Sequence, residues 1–128
     1  MKNNYVFLLI EDNAIDQLVT SKLLKNSLGN CDINIVNNGL EGLNWITNNC
    51  SQLEKSLIIL LDINMPIMNG FEFLTQYNSF PENFKKNTQV FMLSSTLNNN
   101  DIEQIKSNTC VKTLLSKPLS VKSFEQFI

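Results

Sequence analysis

The sequence predicts one α/β domain, built on a five-stranded parallel sheet with helices on both faces. Two observations support this prediction. Five short apolar runs are spread through a chain of 128 residues, and helical patterns fill the intervals between them. Strands that alternate with helices are joined by right-handed crossovers and therefore pair in parallel. The hydrophobic fraction of 43% is typical of a globular domain.

The apolar runs are rich in branched aliphatic residues, which favour strands. The third run, residues 57–61, consists of large aliphatic side chains only and is typical of a strand buried on both faces. The predicted strands are residues 6–10, 33–36, 57–61, 90–93 and 111–115.

Five helices are predicted from apolar side chains at helical spacing. Asn13 is the expected N-cap of the first helix, with Asp16 in its first turn, and Ser120 is the expected cap of the fifth. Residues 79–88, which include Pro81, are predicted to form a polar loop. The predicted apolar stripes are Ile15, Leu18, Val19, Leu23 and Leu24 in the first helix, Leu40, Leu43 and Ile46 in the second, Phe71, Leu74 and Tyr77 in the third, Ile102 and Ile105 in the fourth, and Val121, Phe124, Phe127 and Ile128 in the fifth.

The composition excludes several classes of function. A net charge of −2 argues against a nucleic-acid-binding surface, and the absence of histidine removes imidazole-based catalysis and metal binding. The apolar runs are far too short to span a membrane, and the N-terminus does not have the pattern of a signal peptide, so we expect a cytoplasmic protein. Cys31, Cys50 and Cys110 form no closely spaced pair, which argues against zinc.

Carboxylates follow two of the predicted strands, at the point where each strand ends. Asp62 comes directly after the third apolar run, and Glu11 and Asp12 come directly after the first. If these strands are parallel neighbours, the three carboxylates meet at one edge of the sheet, where open α/β sheets place their chemistry. Their mutual repulsion calls for a cation, and hard oxygen ligands favour Mg²⁺.

A hydroxyl and an ammonium group are expected at the same edge. Ser94 ends the run that continues as Ser94-Ser95-Thr96, and Lys117 follows the fifth run. Together with the acids they form a site suited to phosphoryl transfer. Asp62 is the candidate nucleophile, a metal would neutralise charge on the transferring oxygens, and Lys117 with a hydroxyl would hold the remaining oxygens.

In these motifs the sequence resembles the receiver domain of two-component response regulators, a CheY-like domain, over essentially its whole length. The matching motifs are Glu11-Asp12 after strand one, the segment from Asp62 through Met-Pro to Gly70, Ser94 after strand four, and Lys117-Pro118 after strand five. The resemblance implies a doubly wound, flavodoxin-like fold with strand order 2-1-3-4-5. It also implies a single receiver domain over residues 1–128 without an output domain.

The resemblance implies a role for each acidic residue. Asp62 is the expected phosphoacceptor, which takes a phosphoryl group from a phosphohistidine on a histidine kinase or a histidine phosphotransfer protein. Asp12 and Asp62 are the expected direct Mg²⁺ ligands. Glu11 is expected to act through water, and the backbone carbonyl of Asn64 is a further expected ligand.

The remaining motif residues are expected to respond to the phosphoryl group. The resemblance implies that Ser94 is the switch hydroxyl, that Lys117 is the ion-pair partner of the phosphoryl group, and that the Lys117–Pro118 peptide bond is cis. The family often has an aromatic residue where this chain has Leu114, and a leucine cannot swing outward as that aromatic switch does. We therefore expect signalling through Ser94 and a mobile region over residues 97–108.

The function implied is a switch controlled by phosphorylation, which catalyses only its own phosphorylation and dephosphorylation. An unknown downstream protein would read the change at the surface of the fourth predicted helix and the fifth strand. Neither nucleic acid nor a membrane is an expected partner.

Three other functions are compatible with parts of the pattern. A phosphatase of the haloacid dehalogenase type would need a second aspartate where Asn64 stands. A degenerate receiver that acts as a constitutive binding module would not need the intact set of site residues. A flavin-binding domain would need a phosphate-binding loop where Glu11 and Asp12 would repel the anion.

Overall fold

The five predicted strands are present and form one parallel sheet. They are β1 (Tyr5–Ile10), β2 (Asp32–Val36), β3 (Ser56–Asp62), β4 (Thr88–Ser94) and β5 (Val111–Ser116). In the computed structural model, which describes residues 5–29, 31–95 and 98–128, their order is β2-β1-β3-β4-β5. All four neighbouring pairs are parallel, so the predicted doubly wound fold and its strand order are confirmed.

Six α-helices connect or follow these strands within the described residues. They are α1 (Ala14–Leu28), α2 (Gly39–Asn49), α3 (Gly70–Tyr77), α4 (Glu82–Lys86), α5 (Asn99–Lys106) and α6 (Val121–Glu125), and α2 continues into a 3₁₀ turn over Cys50–Gln52. The fourth and fifth predicted helices therefore correspond to α5 and α6. Thr96, in the run that follows the predicted switch serine, and Leu97, the first residue of the region predicted to be mobile, lie outside the described residues.

The prediction of a loop over residues 79–88 was wrong, because this segment contains α4. The helix begins after Pro81, whose fixed φ suits a helix start. The rings of Phe80 and Phe84 pack against Tyr77, with centroids 6.0 and 6.4 Å from the tyrosine ring. This aromatic cluster fixes a helix of five residues that is too short to show a periodic pattern.

The predicted apolar stripe of α1 was wrong in its first half. Ile15, Leu18 and Val19 are 70%, 58% and 39% exposed, whereas Leu24 is fully buried as predicted. The buried face of the helix instead contains the polar residues Thr20 and Ser21 with Leu24 and Leu28. The hydroxyl of Ser21 donates a hydrogen bond to the Gln17 carbonyl oxygen at 2.7 Å, which satisfies it inside the helix.

Two hydrophobic cores lie on opposite faces of the sheet, because successive side chains of a strand point to opposite faces. In β1, Leu8 and Ile10 belong to the core covered by α2, α3 and α5. Phe7 and Leu9 belong to the core covered by α1 and α6. The central strands β1, β3 and β4 are therefore buried on both sides, as the unbroken apolar run 57–61 predicted for β3, whereas the edge strands β2 and β5 are only partly buried.

Asparagine begins most of the helices, which accounts for part of its abundance. The side chains of Asn13, Asn38, Asn69 and Asn98 each accept a hydrogen bond from the backbone N–H three residues later. These caps start α1, α2, α3 and α5, each of which follows a strand that ends at the carboxyl edge of the sheet. The chain therefore turns tightly at the edge where the acids lie.

Candidate functional site

The sheet register brings the predicted acids together at one edge. Ile10 of β1 is paired with Leu61 of β3, so Glu11 and Asp62 follow at the same level of neighbouring strands. Their side chains are nearly inaccessible to solvent, whereas Asp12 is exposed. The juxtaposition predicted from the sequence is therefore present.

The loop that leaves Asp62 returns close to its own start. The Gly70 N–H donates a hydrogen bond to the Ile63 carbonyl oxygen at 2.8 Å. A Cβ at position 70 would lie 2.6 Å from the Asp62 carbonyl oxygen, so only glycine fits here. The same loop is tied to α2, because the Gly39 N–H donates to the Met68 carbonyl oxygen at 3.1 Å.

The acidic cluster has the properties of a cation site. One carboxylate oxygen from each of Glu11, Asp12 and Asp62 lies within 4.8 Å of the others. Burial raises the pKa of Glu11 to about 7, and burial also raises that of Asp62, although Lys117 partly offsets the effect. Glu11 Oε1 is buried, and its one close cationic neighbour among the described residues is Lys117 Nζ at 2.6 Å. Three clustered carboxylate oxygens offer the hard ligands that a divalent cation prefers.

Lys117 points into this cluster from the end of β5. Its Nζ lies 2.6 Å from Glu11 Oε1 and 3.2 Å from Asp62 Oδ1. Burial alone would lower the pKa of the ammonium, but the carboxylates of Glu11, Asp62 and Asp16 together raise it. The lysine is therefore held charged beside the candidate nucleophile, at the sheet edge where the sequence predicted it to lie.

Asp16 is a site residue that the sequence reasoning missed. The sequence predicts only that Asp16 lies in the first turn of α1, but its Oδ2 accepts a hydrogen bond from Lys117 Nζ at 3.1 Å. The one available signal was spacing, since Asp16 lies about one helical turn beyond Asp12 on a helix that starts at the site. The contact itself depends on β5, which only the tertiary structure brings to α1.

Ser94 and Lys117 are linked through the backbone. Ser94 is the last residue of β4, is 2% exposed, and accepts a hydrogen bond at its carbonyl oxygen from the Lys117 N–H at 2.9 Å. The Lys117–Pro118 peptide bond is cis, which confirms that prediction. Asn64 lies in the exposed part of the loop after β3, and its role as a metal ligand stays a prediction.

Leu114 is partly buried against the core that contains Leu8 and Ile10, and it also lines a cavity. The cavity has a volume of 390 Å³ and lies between α5 and β5, where Ile102, Ile105 and Leu114 contribute to its lining. Among these helical side chains, only Ile105 is buried. The region where the family often has an aromatic switch is therefore incompletely packed in this chain.

No helix among the described residues is long and apolar enough to cross a membrane.

The sequence model of the family described as the response regulator receiver domain matches residues 7–128. The hybrid signal transduction histidine kinase G of Dictyostelium discoideum is 29% identical over 94% of this chain, which spans only 3% of that protein.

Comparison with solved structures identifies the same family. A response regulator receiver protein from Dyadobacter fermentans is 30% identical and superposes with a TM-score of 0.86, over 95% of this chain and 93% of its own. The Mn²⁺-bound form of response regulator Rcp1 is 25% identical, with a TM-score of 0.73, over 95% of this chain and 88% of its own.

Proposed function

Because the chain belongs to the response regulator receiver domain family, we propose that it is a phosphorylation-controlled switch of a two-component system or phosphorelay. The phosphodonor is a phosphohistidine on a histidine kinase or a histidine phosphotransfer protein. The similarity to a hybrid histidine kinase supports such a donor. The chain catalyses its own phosphorylation and dephosphorylation and acts on no other substrate, and the switch works in the cytoplasm.

The proposed reaction transfers one phosphoryl group to Asp62. A carboxylate oxygen of Asp62 forms a bond to phosphorus, the phosphorus–nitrogen bond of the donor breaks, and its electron pair returns to the imidazole nitrogen. Lys117, at 3.2 Å from Asp62 Oδ1, is placed to receive a phosphoryl oxygen. Ser94 supplies the hydroxyl that responds to the product.

Mg²⁺ is the proposed cofactor. Glu11, Asp12 and Asp62 offer the carboxylate oxygens, and Asn64 would add its backbone carbonyl. When bound, the ion neutralises charge on the transferring oxygens. The similarity to the Mn²⁺-bound form of response regulator Rcp1 supports a divalent cation as the cofactor.

One observation supports the proposal most strongly, namely that Lys117 Nζ lies within 3.2 Å of carboxylate oxygens of both Glu11 and Asp62. A lysine that only balanced surface charge would not be buried between two acids that also approach a third. A nucleophilic carboxylate flanked by a cation site and an ammonium is suited to accept a phosphoryl group.

The test is intact mass after incubation with Mg²⁺ and acetyl phosphate. We expect the wild type to gain one phosphoryl group, and we expect neither Asp62→Asn nor the wild type in EDTA to gain it. Asp32→Asn makes the same chemical change at an exposed aspartate at the start of β2 and serves as the control. A wild type that gains nothing from acetyl phosphate or from a phosphorylated histidine phosphotransfer protein would leave a constitutive binding module as the function.

An exposed apolar surface beside the site fits the docking of a protein donor. Ile15, Leu18 and Val19 are exposed on α1, which begins two residues after Asp12. Exposed apolar patches of this kind mark interaction surfaces. We expect Leu18→Asp to slow phosphorylation by a histidine phosphotransfer protein and to leave phosphorylation by acetyl phosphate unchanged. Equal effects on both donors would remove this surface from the proposal.

The output is proposed to lie at α5 and β5. The cavity beside Leu114 and the single buried side chain of α5 leave this helix free to repack when Ser94 responds to the phosphoryl group. A downstream protein that prefers the repacked surface would then bind the phosphorylated form.

A further inference from the structure

The first-turn acid of α1 makes a different contact from those of the other capped helices. Glu41, Glu72 and Asp101 are the corresponding acids of α2, α3 and α5, and each accepts a hydrogen bond at the start of its own helix. Their donors are the Asn37 N–H at 2.8 Å, the Asn69 N–H at 3.0 Å and the Asn98 side-chain amide at 2.9 Å. Asp16, at the same place in α1, reaches instead to Lys117.

The start of α1 does not need the Asp16 side chain. The Asn13 N–H, which an N3 acid accepts in a capping box, already donates to Glu11 Oε2 at 3.1 Å. Asn13 itself accepts from the Asp16 N–H at 2.9 Å, so the cap is formed without the Asp16 carboxylate. The carboxylate is therefore available for a role at the site.

Asp16 and Glu11 hold the ammonium of Lys117 from two sides. The Glu11 side chain is 1% exposed, whereas that of Asp16 is 38% exposed. A lysine ammonium has three N–H donors, and three carboxylates surround this one. Without Asp16, the ammonium would be left to the two acids that must also hold a cation.

We propose that Asp16 is a positioning residue for phosphoryl transfer, which holds the Lys117 ammonium at the solvent side of the acidic cluster, where a phosphoryl oxygen on Asp62 would meet it. This inference rests on the proposed function. When Asp62 becomes an acyl phosphate, its oxygen no longer carries the charge that attracts Lys117. Asp16 and Glu11 then keep the ammonium in place while its third N–H turns to the phosphoryl group.

The test measures the rate of phosphorylation by acetyl phosphate at saturating Mg²⁺. We expect Asp16→Ala to lower the rate constant about five- to tenfold, because a misplaced ammonium no longer meets the transferring oxygens. Asp16→Asn keeps an oxygen that can accept from Lys117, and we expect it to retain the rate within about twofold. Glu41→Ala removes the matching first-turn acid from α2 and controls for the loss of helix stability.

A double-mutant cycle separates positioning from a simple charge effect. In the Lys117→Gln background, Asp16→Ala should change the remaining rate by less than about twofold, because Asp16 acts through the lysine. The same loss in both backgrounds, or no loss in either, would overturn the inference. A wild type that accepts no phosphoryl group would instead contradict the proposed function, so the two failures are distinguishable.

Discussion

Ile67 occupies a backbone conformation that its side chain disfavours. Its φ is 68° and its side chain is 76% exposed, in the loop between Asp62 and Gly70. The left-handed region is strained for β-branched residues and more readily adopted by asparagine and glycine. The strain is therefore located in the loop that follows the candidate phosphoacceptor.

Replacing this isoleucine should stabilise the protein. We expect Ile67→Asn to raise the free energy of unfolding by about 1 kcal/mol, because asparagine tolerates a positive φ. Urea unfolding in EDTA measures the change. Ile15→Asn removes a similarly exposed isoleucine from the helical backbone of α1 and should not stabilise. Equal changes in the two variants would show that exposure, and not φ, is responsible.

Asp12 adds a charge to the cluster without being buried in it. In the absence of metal, Asp12→Ala should raise the free energy of unfolding by about 0.5 kcal/mol or less, because it removes repulsion from Glu11 and Asp62. The same substitution should weaken Mg²⁺ binding, as measured by titration calorimetry. A lower melting temperature of the variant in EDTA would contradict the repulsion argument.

At the scale of the elements, the strands could be predicted from the sequence and one helix face could not. The apolar runs of β1, β3 and β4 define strands because burial on both faces requires apolar side chains throughout, whereas the edge strands β2 and β5 also contain exposed polar residues. In α1, Thr20 and Ser21 occupy buried positions while three apolar residues lie outside. Periodicity predicted the opposite face because it cannot distinguish a core from an exposed binding surface.

In the candidate site, the residues at strand ends could be predicted from the sequence and the helical residue Asp16 could not. Glu11, Asp62, Ser94 and Lys117 each end a strand or follow one directly, and strand ends of a parallel sheet meet at one edge. Asp16 lies within a helix instead, and its contact with Lys117 joins residues 101 positions apart in the sequence. No local pattern marks such a pair.

The helix α5 should be the least protected of the longer helices. It buries only Ile105, whereas α3, which also has eight residues, buries Phe73, Leu74 and Tyr77. We expect the amide protons of α5 to exchange through openings that require at least about 2 kcal/mol less than those of α3. Native-state hydrogen exchange in EDTA measures both helices together. Equal protection would show that α5 is not the mobile element.

At the scale of the whole molecule, cation binding is coupled to folding, because the cation site is formed by the central strands β1 and β3. The cluster exists only when β1 and β3 are paired, so a cation that binds it stabilises the folded state alone. We expect Mg²⁺ at one hundred times its dissociation constant to add about 2.7 kcal/mol to the free energy of unfolding. Thermal unfolding with and without EDTA measures this contribution.

A matched pair of substitutions locates the effect of Mg²⁺. Glu11→Gln should reduce the stabilisation by Mg²⁺, whereas Glu54→Gln, at an exposed position before β3, should leave it unchanged. If both variants kept the full Mg²⁺ effect, the ion would be acting elsewhere on the protein.

The alternation of side chains between the two cores also determines where the chain can change in length. Ile58 and Leu60 face the core under α1 and α6, and Asp62 continues the same alternation at the edge of the sheet. One residue inserted within β3 would exchange its side chains between the cores and turn the acceptor away from Glu11. An insertion between Glu54 and Lys55, in the exposed turn at the opposite edge, changes neither the core that each β3 side chain faces nor the direction of Asp62. Homologues should therefore vary in loop length at the edge away from the acids, while the strands that end at the acids keep a fixed number of residues.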